Sequence, residues 1–180
     1  YRESNGDGNW KELSRRFPKS KRVHGIEGIA QAHIKAGELS DTDYFFVVDG
    51  DNKIKENFTF SVDACLKKYG DLDPGALYVW RCFNPVNSLI YGFGAVKLYN
   101  KQLLLKATEN SYTDFATTVA SKYNVIDDTA SETHFFNSPE EAWRGSFREC
   151  VKLTISAVGP EKNRESGARL DIWCQRDNGV

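Results

Sequence analysis

Two carboxylates at the end of a short apolar run have the chemistry to hold a divalent cation. The run Tyr44-Phe45-Phe46-Val47-Val48 is followed at once by Asp49-Gly50-Asp51. Five apolar or aromatic residues before turn formers predict a strand buried on both faces, and ligands of open α/β sheets sit at the carboxyl ends of such strands. Carboxylate oxygens suit Mg²⁺ or Mn²⁺, and the metal can in turn hold a diphosphate. The alternative is an ordinary Asp-Gly hairpin turn.

The Asp-x-Asp pattern is weakly specific by itself. With thirteen Asp in 180 residues, about one match is expected by chance. The chain holds three, and the other two are Asp41-Thr42-Asp43 and Asp71-Leu72-Asp73. Those two lie in turn or loop sequence, the second directly before Pro74-Gly75. Only Asp49 and Asp51 follow a predicted buried strand, where an uncompensated carboxylate is costly.

A local basic cluster precedes the predicted strand. Apolar residues at helical spacing from Ile26 onwards predict that a helix opens near Gly25. A helix N-terminus beside guanidinium groups is a natural anion site, so the cluster is a candidate phosphate-binding loop, with a solvated surface run as the alternative. Its members are Arg15, Arg16, Lys19, Lys21 and Arg22, followed by His24.

The remaining helices and strands are predicted from hydrophobic periodicity and from turn-forming and capping residues. Strands are expected at 58–62, 77–82 and 95–99, and residues 170–174 are expected to be a last strand or a docking segment. Ser138-Pro139-Glu140-Glu141 is a capping sequence, which predicts a helix from 139 to about 156. On that helix Arg144 and Arg148 lie four residues apart, as a solvated pair or as a grip on a diphosphate or an acceptor. Residues 1–14 are expected to be a flexible arm and 15–180 a single domain.

Composition indicates a globular domain and argues against a membrane span and a structural zinc site. A chain of 180 residues with 40% hydrophobic and 27% charged residues is typical of a globular domain, and no apolar run reaches a membrane span. The net charge of −1 provides no overall attraction to nucleic acid. Four scattered cysteines argue against structural zinc and favour reduced thiols in a cytoplasm. The lack of Met suggests an excerpt of a longer protein.

Several blocks of the sequence resemble one family. They are Val23-His24-Gly25-Ile26, Asp49-Gly50-Asp51, the stretch from Trp80-Arg81-Cys82-Phe83-Asn84-Pro85-Val86-Asn87 to Leu98, and Thr133-His134-Phe135-Phe136-Asn137-Ser138-Pro139-Glu140-Glu141-Ala142-Trp143-Arg144 with Phe147-Arg148-Glu149-Cys150. Over roughly residues 15–155 the chain is similar to GT-A glycosyltransferases associated with oxidised DNA bases. These include phage DNA-modifying enzymes, base-J glucosyltransferases of kinetoplastids and a related domain of an animal oestrogen-regulated protein.

The resemblance implies a fold and a set of site residues. The expected fold is α/β, a GT-A-like (Rossmann-like) mixed sheet flanked by helices, either trimmed at its N-terminus or with a first strand upstream. Asp49 and Asp51 would hold Mn²⁺ or Mg²⁺ with His134 as a further ligand. The cations that would hold the nucleoside diphosphate are Arg16, Lys21, Arg22, His24 and Arg148. Arg144 is a candidate catalytic residue that would grip the diphosphate or steer the acceptor, and the candidate bases are Asp114, Asp127, Asp128 and Glu141.

The expected reaction is transfer of a sugar from a nucleoside-diphosphate donor, such as a UDP-sugar, to hydroxymethylated pyrimidine in DNA inside a bacterial or phage-infected cell. A metal would neutralise the leaving diphosphate. Phosphates of DNA would be contacted by Lys97, Lys101 and the 15–22 cluster. Two alternatives keep the fold: transfer to a protein or small molecule, and a catalytically silent nucleotide-binding module.

Overall fold

Helices and strands are interspersed along the part of the chain that the structure describes. The computed structural model describes residues 4–107, 115–158 and 164–174. The strands are β1 (Tyr44–Val48), β2 (Asn52–Ile54), β3 (Ala76–Asn84), β4 (Leu89–Asn100) and β5 (Lys122–Thr133). The helices are α1 (Gly6–Arg16), α2 (Ile29–Leu39), α3 (Asp63–Tyr69), α4 (Lys101–Leu105), α5 (Phe115–Val119), α6 (Pro139–Val158) and α7 (Arg164–Cys174). None of the helices in this described part has the length and apolar character needed to cross a bilayer.

The five strands form one mixed sheet in the order β1-β4-β3-β5-β2. β1 pairs with β4 and β2 with β5 in antiparallel register, whereas β3 and β5 run parallel. This sheet, with its flanking helices, confirms the predicted α/β class. The prediction that β1 is buried on both faces holds only in part: β1 packs against hydrophobic side chains on both faces of the sheet, but it is an edge strand and its residues are all half-buried. An apolar run does not by itself distinguish a central strand from an edge strand covered by helices.

Side chains of β3 alternate between two hydrophobic clusters, one on each face of the sheet. Tyr78 and Trp80 belong to one cluster and Leu77 and Val79 to the other, all of them buried. This alternation is the ordinary period of a strand. Helices α1 and α3 and the 58–62 segment contribute side chains to the first cluster, and α2, α4 and α5 to the second. β3, in the middle of the sheet, is therefore covered on both sides.

The chain divides into two compact units. One comprises Tyr1–Phe83 and Ile90–Thr133, and the other comprises Asn84–Leu89 and His134–Val180. The sequence predicted a single domain over 15–180 behind a flexible arm at 1–14, whereas α1 occupies most of that N-terminal region. In the second unit α6 packs against α7, and the hydroxyls of Ser156 and Ser166 are hydrogen-bonded at 3.0 Å.

Helix α6 begins where the capping sequence predicts. Pro139 is its first residue, and Ser138 Oγ accepts a hydrogen bond from the backbone N–H of Glu141 at 3.1 Å. This bond satisfies one of the amides that a helix N-terminus leaves without a partner. The helix continues to Val158, two residues beyond its predicted end. Gly145 lies against the ring of Phe135, so closely that an added Cβ would overlap it.

Three other local predictions are wrong. Residues 58–62 form an irregular segment, in which Phe60 has a φ of 53°; their alternating aromatics pack on the sheet without pairing to it. Residues 170–174 end α7 and are not a strand. Helix α2 begins at Ile29 and not near Gly25, because Gly28, with a φ of 86°, is its N-cap.

Candidate functional site

The Asp49-Gly50-Asp51 turn leads from β1 into β2. The Asp49 N–H donates to the Ala95 carbonyl at 3.0 Å, one residue beyond the β1–β4 ladder. The Asn52 N–H donates to the Asp49 carbonyl at 3.1 Å and closes a β-turn. From α1, Asn9 Nδ2 donates to the Gly50 carbonyl at 2.8 Å. These bonds fix the backbone from which both carboxylates project.

The Asp49 carboxylate is paired with a buried ammonium group. Lys97 Nζ lies 2.6 Å from Asp49 Oδ1, and the Lys97 side chain is 3% exposed while that of Asp49 is 35% exposed. Lys97 lies on β4 opposite Val47 of β1, so the pairing of the two strands places its ammonium group beside Asp49. A buried ammonium is costly without a counter-charge. Asp49 therefore compensates Lys97 in the folded chain.

Asn52 supports the turn from inside the protein. Its Nδ2 donates to Asp51 Oδ1 at 2.7 Å. Its Oδ1 accepts from Ser131 Oγ at 3.1 Å and from Cys82 Sγ at 3.2 Å. Burial raises the pKa of Cys82 to about 11, so this thiol stays protonated and acts as a donor. The network fixes the orientation of Asp51 through a fully buried layer.

The two carboxylates of one turn are a partial ligand set for a divalent ion, which would complete its coordination with a ligand and water. Within the described residues, no group of three or more His, Cys, Asp or Glu side chains is arranged to hold a metal. His134, the predicted further ligand, belongs to the second unit and stacks on Phe136 with ring centroids 5.3 Å apart. Mg²⁺ in phosphate sites is commonly held by one or two carboxylates plus substrate phosphates and water. Asp49 and Asp51 match that pattern, whereas a closed protein cage does not.

Three of the predicted phosphate-binding cations, Arg16, Lys21 and Arg22, bind other groups of the chain. The Arg16 guanidinium donates to the carbonyls of residues 54, 55, 56 and 58 at 2.9–3.4 Å. Lys21 Nζ donates to the Leu39 carbonyl at the C-terminal end of α2 and to Asp41. It therefore contacts the opposite end of α2 from the one predicted, where a cation also favours the helix dipole.

Arg22 and His24 complete the basic cluster. Arg22 pairs with Asp7 at 2.5 Å and lies over the Trp10 ring at 5.9 Å. Arg22 lowers the pKa of Asp7, through a hydrogen bond first and its charge second. His24 is exposed in the segment before α2. Arg16, Lys21 and Arg22 thus join α1 and α2 to neighbouring segments of the chain.

The other predicted site residues are dispersed. Asp128 is exposed on β5, and the adjacent Asp127 pairs with Lys68 at 2.9 Å and Arg81 at 3.2 Å. On α6, Arg144 lies 3.5 Å from Glu140, and both residues are exposed. Glu141 is half-buried in the first turn of α6 and Arg148 is exposed further along it. Asp114 lies outside the described residues. Lys101, predicted to contact DNA, donates to the Ser40 carbonyl at 2.7 Å.

Two residues of this site were missed or misassigned from the sequence. Asn52 was not considered, and Lys97 was assigned to a surface phosphate contact. A signal for Lys97 was present, because a single charge inside the apolar strand Ala95-Val96-Lys97-Leu98-Tyr99 requires a partner in the interior. No comparable signal marked Asn52, whose role depends on Cys82 and Ser131 from distant parts of the chain.

Comparisons with known proteins give a distant resemblance. No family model and no curated protein matches the chain. Among solved structures, HddC from Yersinia pseudotuberculosis matches at 12% identity with a TM-score of 0.43, over 77% of this chain and 72% of that one. The same protein complexed with GMP-PN matches at 12% identity with a TM-score of 0.36 over the same shares.

These comparisons contradict the prediction of a glycosyltransferase that modifies hydroxymethylated DNA. No family model of such enzymes matches the chain, and the matching structures are HddC, one of them bound to GMP-PN. The structure agrees with this correction, because the cations expected to hold a donor and DNA are largely bound within the fold. Fold and site together define an α/β protein in which the Asp49-Gly50-Asp51 turn follows β1 and is held by contacts from Asn9, Asn52 and Lys97. The nucleotide-binding module, considered above as an alternative, is the function carried forward.

Proposed function

We propose that this chain is a nucleotide-binding module that holds the phosphates of a nucleoside phosphate at the Asp49-Gly50-Asp51 turn through a divalent ion. The observation that carries the proposal is the pair of carboxylates at the C-terminal end of β1, each held by a neighbouring side chain. In α/β sheets this edge is the usual place for ligands. Gly50 is exposed between the two carboxylates, which leaves room for a phosphate group to approach the backbone.

The charges of the turn require a cation for phosphate binding. Asp49, Asp51 and Lys97 together carry one net negative charge, so a phosphate alone would be repelled. A divalent ion at the carboxylates reverses the sign of the turn and supplies the charge that the phosphate needs. Lys97 is 3% exposed on its side chain, so it acts on the carboxylate and not directly on the ligand. Nucleotide and metal should consequently bind cooperatively.

The geometry of the turn is set before any ligand arrives. Asn52 holds Asp51, Lys97 holds Asp49, and Asn9 holds the Gly50 carbonyl. Ligands fixed by such supporting bonds lose little entropy on binding. The four cysteines are free thiols, which supports a reducing, cytoplasmic location as part of the proposal. Enzymatic activity stays a prediction.

Calorimetry with nucleotides tests the proposal. Uridine, guanosine and adenosine diphosphates are titrated into the chain with Mg²⁺ or Mn²⁺, and again with a chelator. We expect binding of at least one nucleotide that weakens tenfold or more when the metal is removed. Asp51→Asn should weaken metal-dependent binding by about 10–100-fold, the range seen when groups that support a metal are removed.

The matched control is Asp71→Asn, which removes a carboxylate from another Asp-x-Asp sequence. Asp71 is exposed and lies in a loop, so this variant should bind like the unmodified chain. Binding that is equally strong with the chelator, or equally strong in Asp51→Asn, would refute the assignment of the turn. The absence of binding by every nucleotide tested would refute the function itself.

A further inference from the structure

A cavity in the first unit is lined by groups that the proposed nucleotide site does not use. Its volume is about 390 Å³, which lies within the roughly 300–1,000 Å³ of small-ligand pockets. It opens where the irregular 57–62 segment meets α3 and the middle of β3 and β5. The lining residues are Asn57, Phe58, Thr59, Ser61, Asp63, Ala64, Trp80, Asp128 and Thr129.

The chemistry of the lining selects the charge of a ligand. Asp63 and Asp128 contribute two carboxylates, and no Lys, Arg or His is among the lining residues. Asn57 and three hydroxyl side chains add hydrogen-bonding groups, while Phe58 and Trp80 supply apolar wall. An anion would meet two like charges without a counter-charge. A cation with a short alkyl body would satisfy both the carboxylates and the apolar wall.

The neighbouring residues Asp127 and Asp128 of β5 differ in their ion pairing. Asp127 is bound by Lys68 and Arg81, and the hydrogen bond from Lys68, followed by that from Arg81, lowers its pKa. Among the described residues, neither Asp128 nor Asp63 forms an ion pair. The separation arises from an irregularity in the β3–β5 ladder, where Trp80 pairs with Ile126 but Arg81 pairs with Thr129.

That irregularity places two extra residues, Asp127 and Asp128, between consecutive pairs of the ladder. Bulges of this kind redirect side chains and are frequent beside binding sites. Here Asp127 pairs with Lys68 and Arg81, while the solvent-exposed Asp128 lines the cavity. Those two cations are engaged by Asp127, and the Asp128 carboxylate at the edge of the cavity is accessible to a ligand.

We infer that this cavity binds a small organic cation, an alkyl ammonium compound held by Asp128 and Asp63 with its carbon chain against Phe58. The site is separate from the turn that carries the proposed function. None of its lining residues is shared with Asp49, Gly50 or Asp51. Failure of one assignment therefore leaves the other standing.

A series of four-carbon probes tests the charge selection. Putrescine, 1,4-butanediol and succinate have similar length but carry positive, zero and negative charge. Each is titrated into the chain while backbone amide chemical shifts are followed. We expect putrescine to shift amides at 57–64 and 128–129, with butanediol binding at least tenfold more weakly and succinate not binding there. Equal binding of butanediol, or shifts that avoid those residues, would overturn the inference.

Single charge removals locate the contact. Asp128→Asn and Asp63→Asn should each weaken putrescine binding about tenfold, as for loss of a charged hydrogen bond. Glu56→Gln is the matched control, since Glu56 is exposed next to Asn57 but does not line the cavity. It should change the affinity less than twofold. If Glu56→Gln weakens binding as much as Asp128→Asn, or if both cavity variants bind normally, general surface charge explains the effect and the site is refuted.

Asp51→Asn separates this inference from the proposed function. It should weaken metal-dependent nucleotide binding by about 10–100-fold, while putrescine affinity stays within twofold of that of the unmodified chain. Parallel loss of both activities would contradict the independence of the two sites. All of the substituted carboxylates keep their shape as amides, and circular dichroism verifies that each variant is folded before titration.

Discussion

Asp49→Asn and Lys97→Met remove opposite partners of one ion pair, and the structure assigns them different costs. Asp49→Asn leaves the Lys97 ammonium, 3% exposed, without its counter-charge. Breaking a buried pair from one side costs about 3–5 kcal/mol, and the lower end applies because water reaches Asp49, which is 35% exposed. Lys97→Met replaces the ammonium by an apolar chain of similar length and leaves a carboxylate that water can solvate. We expect losses of about 3 kcal/mol for Asp49→Asn and about 1 kcal/mol for Lys97→Met.

Equilibrium unfolding in urea, followed by far-ultraviolet circular dichroism, measures both losses. The double variant Asp49→Asn/Lys97→Met should be close in stability to Lys97→Met alone, since no buried charge then remains. Asp51→Asn is the control and should change the unfolding free energy by less than about 1 kcal/mol. Equal losses in the two single variants, or a larger loss in Lys97→Met, would refute the view that Asp49 stabilises a buried ammonium. The same reasoning explains why Asp51, and not Asp49, is the proper position for a functional test.

Three further predictions concern stability and reactivity. Arg16→Ala should lower the unfolding free energy by about 2 kcal/mol through loss of its bonds to four carbonyls, and should leave nucleotide affinity unchanged; a selective loss of affinity would restore the phosphate-binding role. Gly145→Ala should lower Tm, because its Cβ would overlap Phe135, with a net cost of about 1–3 kcal/mol; an increase in Tm would show that the ring moves aside freely. A maleimide at neutral pH should label the exposed Cys174 and spare Cys82, which is buried and has a pKa raised to about 11. Labelling of Cys82 at the same rate in the native chain would contradict its burial.

Local sequence determined those features whose cause lies within a few residues. The bounds of β1 follow from one apolar run closed by Asp-Gly. The start of α6 follows from Ser138 and Pro139, since the capping bond joins residues three apart. The presence of a carboxylate pair after β1 is likewise readable from the sequence. In each case the energetic preference is satisfied by the segment itself.

Tertiary structure decided the position of β1 in the sheet and the use of its carboxylates. Strand order depends on pairing between β1 and β4, about fifty residues apart, and the aromatic run is the same whether the strand is central or at an edge. The counter-charge of Asp49 comes from Lys97, and the support of Asp51 comes from Asn52 bound to Cys82 and Ser131. A charged residue within an apolar strand indicates that a counter-charge is needed, but only the folded chain shows which residue provides it.

The basic cluster shows the same difference between what the sequence determines and what the fold determines. Arg16, Lys21 and Arg22 form a basic cluster in sequence, yet each ends on a different acceptor once the chain folds: backbone carbonyls, Asp41 and Asp7. Sequence proximity fixes which charges are neighbours along the chain. Coulombic and hydrogen-bond energies depend on distances in space, and those distances are set by how the helices pack on the sheet. Composition therefore determined how many charges the protein carries, and the fold determined that Arg16, Lys21 and Arg22 of the cluster bind groups of the chain itself.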